Sequence, residues 1–179
     1  MDYGACGSGS TAPPGDGMNL DTGGGATTNT NPMHELQVIN DDVMGGQSRS
    51  GVLRTATGLV FEGDVSLANG GGFASFRTAL RLPLEVAALL LAFRGDERRY
   101  RFVLRTDERS GAAQYQASFV APRAWTTQRF VSDDFVARLR GRLVVAPPLR
   151  LADVLAFGVL ISDGQSGHFR VELELPRAG

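Results

Sequence analysis

Asn69-Gly70-Gly71-Gly72 is the feature that most limits what this chain can build. Strand-type residues precede it, with Leu59, Phe61 and Val65 apolar and Glu62 and Asp64 between them. After it, Phe73, Ser75 and Arg77 share one face of an extended segment, and Ala74, Phe76 and Thr78 share the other, because side chains alternate along a strand. Glycine reaches positive φ at no steric cost, so the run between the strands can reverse the chain and bring bare backbone close to a neighbour. The plain reading is a tight hairpin with spare glycines between two antiparallel strands.

The same alternation recurs along the chain and predicts strands over 36–39, 48–55, 59–64, 73–82, 88–94, 100–106, 114–120, 126–131, 156–162 and 168–175. In 100–106, Tyr100, Phe102 and Leu104 face one way while Arg101, Val103 and Arg105 face the other. In 168–175, Phe169, Val171, Leu173 and Leu175 face inward, and Arg170, Glu172 and Glu174 face water. Helical signal is thin: Asp133 and Asp134 predict a capped turn over 135–139, and 151–155 reads as another. Many short strands joined by Gly-rich turns predict an all-β fold, an antiparallel β-sandwich or jelly roll.

Residues 1–33 are dominated by Gly, Ser, Thr, Asn and Pro, with apolar residues too sparse to offset the entropy of ordering. The expected organisation is therefore a disordered tail over 1–33 and one sandwich domain over 34–179. The 18 basic residues are all Arg. Residues 1–48 carry six acids and no base, and the remainder carries 18 Arg against 13 acids, so the expected domain is mildly basic. Without aromatic–basic interleaving, that excess does not suggest nucleic acid. No apolar run has transmembrane length. Cys6 is the single cysteine, and His34 and His168 are far apart, which leaves no Cys-based or paired-His metal site. The Arg-free start predicts against a mitochondrial presequence. Gly4-Ala5-Cys6, followed by a polar linker, reads either as the end of a bacterial lipoprotein signal or as an incidental cysteine in a low-complexity tail. The expected compartment is accordingly the bacterial cytoplasm or, with a lipid anchor at Cys6, the cell envelope.

Asn40-Asp41-Asp42-Val43-Met44-Gly45-Gly46-Gln47-Ser48 gathers two carboxylates, an amide, a Met and a Gly pair in one short loop. Together with Phe61-Glu62-Gly63-Asp64-Val65-Ser66-Leu67-Ala68-Asn69-Gly70-Gly71-Gly72-Phe73-Ala74-Ser75-Phe76-Arg77, it resembles the signature of the complex I intermediate-associated protein 30 family. There, a block N-D-x-V-M-G-G-x-S precedes F-x-G-x-V-S-L-x-N-x-G-G-F-A-S-x-R. The likeness continues in Arg94-Gly95-Asp96, Tyr100, Trp125 and Gly158-Val159-Leu160-Ile161-Ser162-Asp163-Gly164-Gln165, then Gly167 and Phe169. It spans roughly 36–175. The resemblance implies a galactose-binding-domain-like sandwich, related to carbohydrate-binding modules, and a chaperone-like role in assembling a respiratory NADH:ubiquinone oxidoreductase or another complex.

Catalytic motifs are missing: no G-x-S-x-G elbow, H-E-x-x-H or P-loop occurs, and no helix start with Lys and Ser/Thr follows the triple glycine. Neighbours on an extended chain point apart, so Asp41 and Asp42 do not act as a pair. No catalytic residue and no cofactor is expected. Asp41, Asp42 and Asp163 are the oxygen ligands a calcium site would use, but their spacing matches no calcium loop.

The candidate ligand- or partner-binding residues are Asn40, Asp41, Asp42, Met44, Asn69, Phe73, Ser75, Arg77, Arg94 and Asp96, with Arg105 in the same polar constellation. Asp41, Asn69 and Arg77 are expected to converge where the two signature loops meet, Arg77 pairing with Asp41 or Asp96. Phe73, Met44 and Trp125 are candidate apolar contacts, with core placement the other reading for Trp125. The site is either a structural network that ties loops together or a shallow recognition surface at one end of the sandwich. The expected partner is a protein client, with respiratory complex I subunits among the candidates. The alternative is a carbohydrate, bound by a module of a secreted or lipid-anchored bacterial protein.

Overall fold

The computed structural model describes residues 36–107, 109 and 111–179. The tail expected over 1–33, Cys6 and His34 lie outside the described residues. Among the described residues thirteen strands follow in order: β1 (Gln37–Asn40), β2 (Arg49–Arg54), β3 (Gly58–Val65), β4 (Ala74–Ala79), β5 (Leu89–Gly95), β6 (Arg99–Arg105), β7 (Gln114–Val120), β8 (Thr126–Phe130), β9 (Val136–Leu139), β10 (Arg142–Leu143), β11 (Ala156–Ile161), β12 (Gly167–Glu174) and β13 (Arg177–Ala178). Short 3-10 turns at Asp41–Met44, Ala68–Gly70, Ser132–Asp134 and Leu151–Asp153 are the helical elements among the described residues.

The strands form two antiparallel sheets. One runs β1-β4-β11-β6-β7-β9-β10, and the other β13-β5-β12-β3-β2 with β8 paired to β5. Chain neighbours β3 and β4 therefore sit in different layers, and the Gly-rich run between them is a crossover between sheets rather than a hairpin turn.

The inward faces meet in an aromatic core. Phe61 of the six-stranded sheet packs edge-on against Phe76 of the seven-stranded one at 5.1 Å, Phe93 reaches Phe119 at 4.5 Å, and Phe102 reaches Phe130 at 5.2 Å. Each such pair adds about 0.5–1.5 kcal/mol beyond the area it buries. Tyr100, Phe102 and Leu104 are fully buried, as the alternation in β6 predicts.

Three further expectations are corrected. The segment expected to be helical near 135–139 is β9, whose Val136 to Arg138 pair with Gln116 to Gln114 of β7. Asp134 still caps, accepting from the Val131 N–H at 2.8 Å, but it caps the preceding turn. Leu175 lies beyond the end of β12 and is 51% exposed. Trp125, for which a core position was one reading, is 47% exposed in the loop before β8, where the Arg94 guanidinium lies 5.3 Å from its ring centroid.

Candidate functional site: a two-loop junction and a cationic cleft

The two signature loops meet at Asp41, which is 0% exposed. Its Oδ1 accepts from the Ser48 N–H at 2.9 Å. Its Oδ2 accepts from the Ser48 hydroxyl at 2.6 Å and from the backbone N–H groups of Gly72 at 2.6 Å and Phe73 at 3.3 Å. Ser48 Oγ in turn accepts from the Ser66 N–H at 3.0 Å. Asp41 and Gly72 flank strands of the seven-stranded sheet, whereas Ser48 and Ser66 flank strands of the six-stranded one. One carboxylate thus pins the two layers together at one end.

The glycines follow from this packing. A Cβ on Gly46 would stand 2.2 Å from Asp41 Cγ, and one on Gly71 would stand 2.5 Å from Asp41 Oδ2. Gly45 closes the turn at φ 85°, a conformation glycine adopts without strain. Burial pushes the Asp41 pKa up, but the Ser48 hydroxyl and the Gly72, Ser48 and Phe73 N–H groups together outweigh it and hold the carboxyl below its ordinary value.

The other candidate residues fall into two groups. Asn40 accepts from the Ser50 hydroxyl at 2.5 Å, and Ser75 Oγ donates to the Ile39 carbonyl at 3.2 Å. Asp42 is exposed in the turn after β1, and Asn69 takes the left-handed conformation at φ 56° in the turn that Gly71 closes. Arg77 does not pair with Asp41 or Asp96; its Nε donates to Gln37 Oε1 at 2.6 Å. Asp41 already has its donors from three backbone N–H groups and the Ser48 hydroxyl, so it needs no guanidinium.

Arg94 and Asp96 lie on the other sheet. Arg94 donates from Nε and Nη2 to Glu172 Oε2 at 3.1 and 2.8 Å. Asp96 accepts from the Tyr100 hydroxyl at 2.9 Å, the Arg98 N–H at 3.2 Å and the Arg170 N–H at 2.9 Å, locking the β5–β6 turn to β12. Burial, and then the Asp96 charge, push the Tyr100 pKa up, so this hydroxyl stays a donor. Asp96→Ala should cost about 1–3 kcal/mol, because a largely buried hydroxyl and two N–H groups lose their acceptor. Tyr100→Phe should cost less in the same urea melts. Equal stability of Asp96→Ala and wild type would remove the turn lock.

The three carboxylates considered for calcium, Asp41, Asp42 and Asp163, are not gathered into one cluster. No cluster of three or more His, Cys, Asp or Glu side chains that could hold a metal ion occurs among the described residues. Asp41 is ringed by N–H and O–H donors, and Asp163 is taken by Arg101.

What brings Met44, Phe73, Ser75 and Arg77 together is a cleft of about 570 Å³ on the outward face of the seven-stranded sheet. Register places Arg77 opposite Gly158, Gly158 opposite Val103, and Val103 opposite Gln116. The neighbouring row runs Ile39, Ser75, Leu160, Arg101. Gly158 leaves a hollow between Arg77 and Val103, and Arg101 donates to Gln116 Oε1 at 3.1 Å and to Asp163. Arg101, Gln116, Gly158 and Leu160 were not among the residues expected to form the site. The alternation of Arg101 and Arg105 opposite the core face of β6 was the available signal.

This architecture matches known folds. The profile of the complex I intermediate-associated protein 30 family matches residues 26–173. The chain belongs to that family. Among solved structures, the chain is similar to a family 11 carbohydrate-binding module from Clostridium thermocellum in complex with a β-1,3-1,4-mixed-linked tetrasaccharide. They share 13% identity over 83% of this chain and 90% of that one, with a TM-score of 0.54. A second structure, the family 11 module of a cellulosomal cellulase from the same organism, gives 13% identity, 85% and 91% coverage and a TM-score of 0.54. Comparison with curated proteins gives no match at a significant level. These likenesses establish the β-sandwich. Within the complex I intermediate-associated protein 30 family, the two sequence blocks now have a structural meaning here, since both converge on Asp41.

Proposed function

We propose that this chain is a non-catalytic binding domain that grips a protein client during assembly of a larger complex, such as a respiratory NADH:ubiquinone oxidoreductase. The observation that carries the reading is the cleft: guanidinium groups beside an apolar rim of Ile39, Met44, Phe73 and Leu160, held on a rigid sheet. Met44 is 66% exposed, and its flexible thioether suits an irregular partner surface. Guanidiniums bind and orient, and the one carboxylate among the described lining residues, Asp163, is engaged by Arg101. Membership of the complex I intermediate-associated protein 30 family supports the same conclusion.

A carbohydrate ligand is the alternative, and the lining weighs against it. Ring stacking needs exposed aromatic faces. Among the described lining residues, Phe73 is the aromatic with partial exposure, whereas Phe76 and Phe157 belong to the core.

Affinity capture of the full chain from its native host, read by mass spectrometry beside a neutral β-glucan binding assay, tests the proposal. Enrichment of subunits of one complex is expected. Glucan binding with no enriched protein would overturn it.

A further inference from the structure

Arg105 is the most buried arginine among the described residues, 8% exposed, and it lines the cleft. Among the described residues its hydrogen bonds go to carbonyls: Nε to Asp107 O at 3.3 Å and Nη2 to Arg109 O at 2.9 Å. Arg94, Arg101 and Arg170, by contrast, each hold a carboxylate. A guanidinium withdrawn from water is costly unless an anion compensates it. Among the described residues Nη1 of Arg105 makes no hydrogen bond, and the side chain lines the cleft. The described lining as a whole carries four arginines, Arg77, Arg101, Arg105 and Arg140, against the single carboxylate of Asp163. A second hollow of about 670 Å³ shares Arg77 and Arg105 with the cleft, so an extended guest has room on both sides of them.

We propose that the cleft recognises an extended acidic peptide segment of its client, with an Asp or Glu carboxylate forked by Arg105 beside Arg77. The inference rests on the client-binding reading above. Planar guanidinium and carboxylate match in two parallel N–H···O bonds, which gives position as well as attraction. Next to that anchor, Ile39, Met44, Phe73 and Leu160 accept apolar side chains, a requirement that a peptide meets and a uronic acid chain does not. Gly158, opposite both Arg77 and Val103, adds no side chain to the cleft floor.

The probe is a fluorescein-labelled decapeptide alternating Glu and Leu, titrated by anisotropy with the full chain. Its Gln/Leu counterpart and a labelled oligogalacturonate run beside it. The Glu/Leu peptide should bind at least about tenfold more tightly than the Gln/Leu peptide, and added salt should weaken it. Arg105→Gln should lose about tenfold or more. Because Arg105 also ties the loop after β6, a second variant guards against misfolding. Gln114→Glu keeps the side-chain shape and its acceptor for Gln116 Nε2 while placing a carboxylate in the lining, and it should lose a similar factor with an unchanged melting temperature. Arg123→Gln, on the exposed Glu97 pair, should bind as wild type. Equal affinity for the two peptides, or full binding by a folded Gln114→Glu, would overturn the inference, as would tighter binding of oligogalacturonate. Client capture that survives both cleft variants leaves the client reading intact and removes this one. Peptide binding without any captured client does the reverse.

Discussion

Asp41→Ala should lower the unfolding free energy by about 3–4 kcal/mol, one of the two largest effects expected in this protein. The substitution leaves the N–H groups of Ser48, Gly72 and Phe73 and the Ser48 hydroxyl without their acceptor. An unsatisfied buried donor costs about 1–3 kcal/mol, and water entering the vacated space recovers part of the total. Urea melts at neutral pH give the number directly. A loss below about 1 kcal/mol would mean that the junction does not hold the layers together.

The same carboxylate adds a pH dependence of known sign. Its pKa in the folded state is below the unfolded value of 3.8. Its contribution is therefore complete above the ordinary carboxylate range and is lost as pH falls through the depressed folded value. Glu172 acts in the same direction, held low chiefly by its hydrogen bond from Arg94. Acid melts of Asp41→Asn should consequently show a shallower decline than wild type, with the Glu172 contribution remaining. A parallel decline in both proteins would exclude Asp41 as a source.

Gly158→Ala is the second large effect, expected at about 3 kcal/mol or more. A Cβ at this position would stand 1.9 Å from Phe76 O, 3.0 Å from Phe76 C and 3.2 Å from Arg77 Cα. All three are backbone atoms of β4, so no rotamer change relieves the clash and β11 must separate from its neighbour. Gly51→Ala is the matched control. Its Cβ would meet nothing within 4 Å, and a change within about 0.5 kcal/mol is expected there. Thermal melts of the pair check both. Equal melting temperatures would show that the β4–β11 register is not the one described.

Much of the layer structure was legible from local pattern. The ten strands anticipated from alternation all occur, and the inward residues of β6 and most of those of β12 are the ones the alternation selects. The strands it missed are β9, β10 and β13, which are 4, 2 and 2 residues long. Segments that short carry too few residues to establish a period. Asp133 and Asp134 signalled a cap correctly, yet sheet-edge hydrogen bonds to β7 took the residues that follow out of any helix. Trp125 shows the limit of composition: a large apolar ring usually seeks the core, but its loop position left it outside, over Arg94.

Side-chain alternation and turn chemistry are properties of a few consecutive residues, and so the amino-acid order by itself determined an all-β antiparallel chain, its inward faces and the two loops that matter. Which distant groups meet is a different kind of fact. Asp41 could be foreseen as a loop tie, but not that its donors would be Ser48, Gly72 and Phe73 and that Arg77 would turn instead to Gln37. Likewise Arg77, Arg101 and Arg105 share a cleft only because β4 and β6 lie on either side of β11. Strand order and register set those distances, and both emerge from the packing of the whole sheet, so only the tertiary structure decided them.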